Sequence, residues 1–184
     1  MLIKEYFSNI KKNHLNHKFS GISFNSNEIK KGYIFFAIKG NKIDGKTYIN
    51  QAINNGAKTI ISDLKFQGYK TDVLFLNSKN PRKLLSETAN KLYNKKPKNL
   101  IAVTGTNGKS SVANFFFQIL KLNKKKVASI GTLGVNSNNS NLNTNNTTLD
   151  PIRLNKILEN HKNNNINNVI LEASSHGLKQ HRLD

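Results

Sequence analysis

Apolar residues follow two rhythms along the chain. Compact runs at 33–38, 58–62, 72–76, 100–103, 127–133 and 169–171 are short, rich in Ile, Val, Leu or Phe, and bounded by glycine or polar residues, which predicts strands. Elsewhere the apolar residues return every three or four positions, which predicts helices. One such set is Leu2, Ile3, Tyr6, Phe7 and Ile10, and another is a stretch from about 47 to 55 that closes on Gly56. The others are Leu84, Leu85, Ala89 and Leu92; Val112, Phe115, Phe116, Ile119, Leu120 and Leu122; and Ile152, Leu154, Ile157 and Leu158. Two of these helices have readable starts, because Asn80 precedes Pro81 and Asp150 precedes Pro151, a capping side chain followed by proline at the first helical position. Strands alternate with helices, so the fold class is α/β. The run NKKPKN at 94–99 reads as a linker. It separates a small mixed α/β domain at 1–96 from a P-loop-type, mostly parallel α/β domain at 97–184. The Asn-rich tract 137–146 reads as an exposed loop, and Lys124, Lys125 and Lys126 as a solvated turn.

The stretch LIAVTGTNGKSSVANFFFQILKL at 100–122 joins a strand expected to be buried, a glycine turn and a helix. Gly105 and Gly108 let the backbone approach a ligand without a Cβ in the way, so the N–H groups around Thr106 and Asn107 can face phosphate oxygens. The helix start adds unpaired amides and a positive dipole end. Lys109 would then reach the β and γ phosphates, and Ser110 would offer its hydroxyl to Mg2+. Against the general pattern G-x-x-x-x-G-K-[ST] one position fails, since Val103 stands first and the leading glycine comes at 105. The competing reading is a glycine turn followed by a chance Gly-Lys-Ser, and the strand and helix on either side argue against it.

Glu172 ends the apolar run at 169–171. An acid at the carboxyl end of a strand in an open α/β sheet lies on the edge where ligands bind, which makes Glu172 a second candidate for Mg2+; the alternative is a helix-capping or surface carboxylate. His176 could contact a ligand or hydrogen-bond locally, and the other four histidines show no metal-ligand spacing. The polar loop at 24–31 contains Ser26, to which spacing alone gives no task.

Composition narrows the classes. Without cysteine there can be no disulfide, thiolate nucleophile or Cys-based zinc site, which fits a reducing compartment. No apolar run approaches the roughly 18 residues of a membrane span, so a cytoplasmic protein without membrane insertion is expected. The net charge of +19 comes from lysines spread through every segment among many asparagines, and none of the usual nucleic-acid recognition signatures accompanies it. Nucleic acid is therefore not the expected partner, and the positive field suits a polyanionic small molecule.

Several separated motifs then agree. VTGTNGKSSV at 103–112 resembles the ATP loop of the Mur ligases and of the related folylpolyglutamate synthases. LEASSHGLKQHRLD at 171–184, NNTTLD at 145–150 and SFNSNEIKKGYIFFAIKGNKIDGKTYINQAINNGA at 23–57 resemble the Mur ligase that adds the third residue of the peptidoglycan peptide. The resemblance covers nearly the whole chain, with Leu149 in place of a usual Pro and Ala173 in place of a usual Val.

It implies an ADP-forming amide ligase whose cofactors are ATP and Mg2+. Its partners would be UDP-N-acetylmuramoyl dipeptide and an amino acid, either meso-diaminopimelate or L-lysine, with the chain a monomer. Residue by residue, Gly105, Thr106, Asn107, Gly108, Lys109, Ser110 and Ser111 match the ATP loop, with Lys109 catalytic and Ser110 and Glu172 on the metal. Phe24, Ser26, Asn41, Lys42 and Ile43 match positions for the uridine nucleotide. Asn146, Thr147, Thr148, Ser174, Gln180 and Arg182 match positions for the muramoyl peptide. The family's metal-binding His segment, carbamylated Lys and third domain have no counterpart in these 184 residues, which implies a fragment that does not complete ligation. The alternatives are a folylpolyglutamate synthase-like ligase and a non-catalytic, basic P-loop module for nucleotide or nucleic acid.

Overall fold

Among the described residues two five-stranded sheets form, one in the unit Met1–Lys91 and one in the unit Leu92–Asp184. The computed structural model describes residues 1–7, 10–40, 43–138, 141–144 and 147–184. Both sheets are mixed, and each has a parallel part: strand pairs are parallel except for one edge pair in the first sheet and two consecutive pairs in the second. Among the described residues no helix is long and apolar enough to cross a membrane.

In the first unit, β1 (Gly21–Ser23), β2 (Tyr33–Phe36), β3 (Thr59–Ser62), β4 (Gly68–Lys70) and β5 (Val73–Asn77) lie in the order β1-β2-β3-β5-β4, parallel except for the β4–β5 pair. The central strands are apolar on both faces because both faces are covered, and Phe35, Phe36, Ile60, Ile61 and Leu74 are at most 1% exposed. Helix α1 (Ile49–Asn54) contributes Ala52 to a core with Ile29, Phe35, Ala37, Ala57, Ile60 and Val73. Helix α2 (Pro81–Leu92) starts where Asn80 Oδ1 accepts the Lys83 N–H at 3.1 Å.

Two expectations fail here, and a third holds with its start shifted. Among the described residues of 2–12 no single helix forms: Ile3–Glu5 and Lys12–His14 are single 3-10 turns. Leu2 instead bridges Lys18, and the Ile3 N–H donates to the His17 carbonyl, so backbone pairing across the segment outweighs the helical period while still burying Ile3 and Phe7. The polar stretch around Gly68 holds the edge strand β4. The helix expected from about 47 begins at Ile49, after a 3-10 turn at Gly45–Tyr48 capped by Asp44.

In the second unit, β6 (Asn99–Val103), α3 (Lys109–Leu122), β7 (Val127–Gly131), β8 (Gly134–Ser137), β9 (Asn141–Leu142), α4 (Pro151–Asn163), β10 (Asn168–Glu172) and α5 (Ser175–Lys179) follow in sequence. The strand order is β6-β10-β7-β8-β9, with β10 parallel to both β6 and β7, and β8 and β9 antiparallel. Ala128, Ile130, Val169 and Leu171 pack with Leu154 and Leu158 of α4 and with Leu149 and Ala173. Helix α4 starts as its sequence suggests, with Asp150 Oδ1 accepting the Arg153 N–H at 3.0 Å.

The run 127–133 is not one strand. It turns at Thr132 and Leu133 into β8, so the Asn-rich tract begins inside a hairpin and holds β9. Asn138 Oδ1 accepts the Val127 N–H, a side chain serving in a ladder that the polar composition concealed. The strand expected to be buried, β6, is largely exposed, because among the described residues it pairs only with β10. The apolar stripe of α3 at Val112, Phe115, Ile119 and Leu122 is exposed as well, with Ala113 buried.

Candidate active site

The insertion of β10 between β6 and β7 makes the site. Glu172, the last residue of β10, is the ladder partner of Val103, the last residue of β6, and Leu171 is the partner of Ile130 in β7. The turn after β6, the acid ending β10 and the turn after β7 therefore reach one carboxyl edge of the sheet, where open α/β sheets bind ligands.

The loop after β6 turns with Gly105 at φ 145° and Gly108 at φ 81°, left-handed values that a Cβ would strain. The first helical bond of α3 is Val112 N–H to Gly108 O at 2.9 Å, which leaves the amides before it without helical partners. Lys109 Nζ donates to the Gly105 carbonyl at 2.6 Å and lies 3.4 Å from the Thr106 carbonyl, so its ammonium closes over the loop. Ser110 Oγ donates to Glu172 Oε2 at 3.0 Å.

Glu172 is 3% exposed. Its Oε1 accepts the Thr132 N–H at 3.0 Å, and its Oε2 accepts the Thr132 hydroxyl at 3.1 Å. Among the described residues no Lys, Arg or His pairs with it. A buried carboxylate met only by neutral donors keeps an uncompensated charge, which is costly without a cation. One carboxylate and one hydroxyl, beside amides suited to phosphate, are the oxygen donors that Mg2+ takes together with nucleotide phosphates. The residues fit that ion.

A cleft of about 320 Å3 is lined by Thr106, Asn107, Gly108, Lys109, Ser110 and Ser111 of the loop and helix start, with Thr132, Thr147, Glu172 and Ser174. The remaining candidates of this unit brace it. Thr148, buried, donates to the Glu172 main-chain carbonyl at 3.1 Å and accepts the Ser174 N–H at 3.0 Å. Ser174 caps α5 by accepting the Gly177 N–H at 3.0 Å. Arg182 Nη1 donates to the Thr148 carbonyl at 2.6 Å, and its Nε and Nη2 hold Gln180 Oε1 at 3.0 and 2.7 Å, so its guanidinium is engaged within the unit. Gly105, Thr148, Gln180 and Arg182 are not among the lining residues. His176 Nε2 lies 2.7 Å from Gln180 Nε2, a contact across one helical turn.

In the first unit Ser26 is buried and donates to Gln51 Oε1 at 2.8 Å, while Phe24 and Ile43 are exposed. Asn41, Lys42 and Asn146 lie outside the described residues. The residue that sequence reasoning passed over is Thr132. Its one signal is Gly131-Thr132 directly after an apolar strand, which carries weight only once β7 and β10 are known to be neighbours.

Comparison with known proteins bears on the family and the fold. A family model described as the Mur ligase middle domain matches residues 103–184, and another, described as the Mur ligase family catalytic domain, matches residues 18–93. The chain belongs to the Mur ligase family. It is 44% identical over 172 residues to the UDP-N-acetylmuramoyl-L-alanyl-D-glutamate--2,6-diaminopimelate ligase of Rickettsia prowazekii, an alignment covering 91% of this chain and 35% of that relative. The ligase of the same name from Rhizobium meliloti is 37% identical over 164 residues, covering 89% and 34%. A solved structure bearing this ligase name superposes with a TM-score of 0.81 at 27% identity, over 100% of this chain and 38% of the other. A MurF ligase from Thermotoga maritima in complex with ADP shares the fold, with a TM-score of 0.55 at 24% identity over 86% of this chain and 32% of that one. This Mur ligase chain thus spans about a third of the length of the curated relatives it matches.

Proposed function

We propose that these residues are the nucleotide-holding part of an ATP-dependent ligase of peptidoglycan precursor synthesis. The reaction of the whole enzyme adds the third amino acid to UDP-N-acetylmuramoyl-L-alanyl-D-glutamate. The names of the matched relatives favour 2,6-diaminopimelate over L-lysine as that amino acid. The observation that carries the proposal is the 3.0 Å contact between Ser110, the residue after the loop lysine, and the buried carboxylate of Glu172.

The loop amides from Gly105 to Ser111 and the Lys109 ammonium hold β and γ phosphate oxygens and hold them in line for transfer. Lys109 exchanges its loop carbonyls for those oxygens. Ser110 and Glu172 hold Mg2+, which neutralises charge on the phosphates. In the complete reaction an oxygen of the D-glutamate carboxylate attacks the γ phosphorus and ADP leaves, giving an acyl phosphate. The amine of the incoming amino acid then attacks the acyl carbon, and phosphate departs as the amide forms. Asn146, Thr147, Thr148, Ser174, Gln180 and Arg182 serve the muramoyl peptide side, Arg182 chiefly by fixing Thr148 and Gln180. The unit Met1–Lys91 takes the uridine nucleotide through Phe24, Ser26, Asn41, Lys42 and Ile43. We assign to the 184 residues nucleotide binding without completed ligation.

Calorimetry on the chain with a non-hydrolysable ATP analogue, UDP-N-acetylmuramoyl dipeptide, folate and a single-stranded oligonucleotide separates the readings. Saturable, Mg2+-enhanced binding of the ATP analogue, with uridine-substrate binding and no folate binding, is the expected result. Binding of the oligonucleotide alone, collapsing steeply with salt, would contradict it.

A further inference from the structure

We propose that Thr132 is a positioning residue that holds the Glu172 carboxylate for the metal and ties it to the substrate-side segment through Thr147. The proposal rests on the nucleotide and metal reading above and adds to it a residue.

A threonine hydroxyl has one proton to give. Thr132 Oγ1 lies 3.1 Å from Glu172 Oε2 and 3.0 Å from Thr147 Oγ1. An ionised carboxylate only accepts, so Thr132 is the donor to Glu172 Oε2; it is the donor toward Thr147 Oγ1 as well, and its single proton serves one of the two at a time. The Thr132 hydroxyl thus stands between the metal acid and Thr147. With the Thr132 N–H on Oε1, the residue grips both oxygens of the carboxylate and fixes its plane, while Ser110 meets Oε2 from α3. The next residue in the chain, Thr148, holds the main-chain carbonyl of the same Glu172. Of these two adjacent threonines, Thr148 thus reaches the backbone of the metal acid and Thr147 reaches the hydroxyl that holds its head.

The test measures nucleotide affinity by calorimetry with ADP, in saturating Mg2+ and in EDTA, for the 184-residue chain and its variants. The ratio of the two affinities is the magnesium enhancement. Thr132→Val keeps the shape and the main-chain N–H but removes the hydroxyl, and the enhancement should fall about tenfold, the usual scale for a residue that orients a metal ligand. The EDTA affinity should stay unchanged, and Thr132→Ser should restore the enhancement. Thr147→Val should lower the enhancement less, and should lower it no further in the Thr132→Val background, since Thr147 acts only by fixing the Thr132 hydroxyl. An undiminished enhancement in Thr132→Val overturns the proposal. So does equal loss with and without Mg2+, which marks a merely structural role, and so do additive effects of the two variants. If the unaltered chain shows no enhancement at all, the metal reading has failed before any variant is compared.

Discussion

A Cβ placed on Gly131 would lie 2.2 Å from Glu172 Oε1 and 2.5 Å from its Cδ. Gly131 has no left-handed φ to explain it, so the glycine is needed for space: β7 ends in a residue without a side chain so that the acid ending β10 can lie across it. Gly131→Ala should therefore turn the Glu172 side chain out of reach of Ser110. The expected outcome is loss of about tenfold or more in the magnesium enhancement of nucleotide binding. Unfolding should show about 1–3 kcal/mol of destabilisation, the usual cost of overpacking a closed site. Calorimetry and denaturant titration check the two effects separately.

Lys109 closes over the loop through carbonyl oxygens in an exposed position. Lys109→Ala should leave the unfolding midpoint nearly unchanged while weakening an ATP analogue by about tenfold or more, as loss of a charge-assisted bond implies. Parallel calorimetry and thermal unfolding would show this. A variant that binds as tightly as the unaltered chain removes Lys109 from the site.

Two histidines, His17 half-buried in the first unit and His161 buried in the second, should make the fold acid-sensitive. Burial lowers the pKa of His17, with the nearby positive charges of His14 and Lys58 adding to it, and its ring nitrogens already engage Tyr69 Oη and Thr59 Oγ1. Burial alone lowers that of His161, whose Nε2 is buried with no hydrogen-bond partner among the described residues. A depressed folded pKa means that the unfolded chain takes up the proton first. Stability is then full above the ordinary histidine pKa of about 6.5 and declines as pH falls below it. Thermal unfolding followed from roughly pH 7.5 to 5.5 should show a falling midpoint, with a shallower fall in His161→Leu. A midpoint that rises on acidification would contradict the assignment.

Helix α4 carries Leu154 and Leu158 into the core of the second unit, and its first turn is held by Asp150. Asp150→Ala should cost about 1 kcal/mol, the usual worth of such a cap, whereas Asp150→Asn should keep most of it. Urea unfolding of the two variants distinguishes loss of the cap from loss of charge.

The features that could be read from the chain were those set by neighbours in sequence. The caps at Asn80 and Asp150, the glycine loop before α3 and the acid at the end of β10 all depend on local spacing, and each is where that spacing puts it. What could not be read depends on strand order. Nothing in the sequence says that β10 inserts between β6 and β7, and without that Thr132, forty residues from Glu172, is an unremarkable threonine in a turn. The same blindness explains β8 and β9, whose ladder partners lie across a hairpin in an Asn-rich tract. It also explains residues 2–12, where pairing of Leu2 with Lys18 overrides a helical period. The apolar period of α3 was legible, but its burial was not, because periodicity does not say which neighbours cover a face.

The central claim is that the loop, Ser110 and Glu172 hold one metal-bound nucleotide. Mn2+ is the most direct probe, since it takes the same oxygen ligands as Mg2+ and broadens nearby nuclear resonances. With ADP and substoichiometric Mn2+ added to isotope-labelled chain, the account predicts selective broadening of amides at 105–111, 131–132 and 172, and its disappearance in Glu172→Gln. Broadening centred elsewhere, or broadening at those amides that survives in Glu172→Gln, would contradict it.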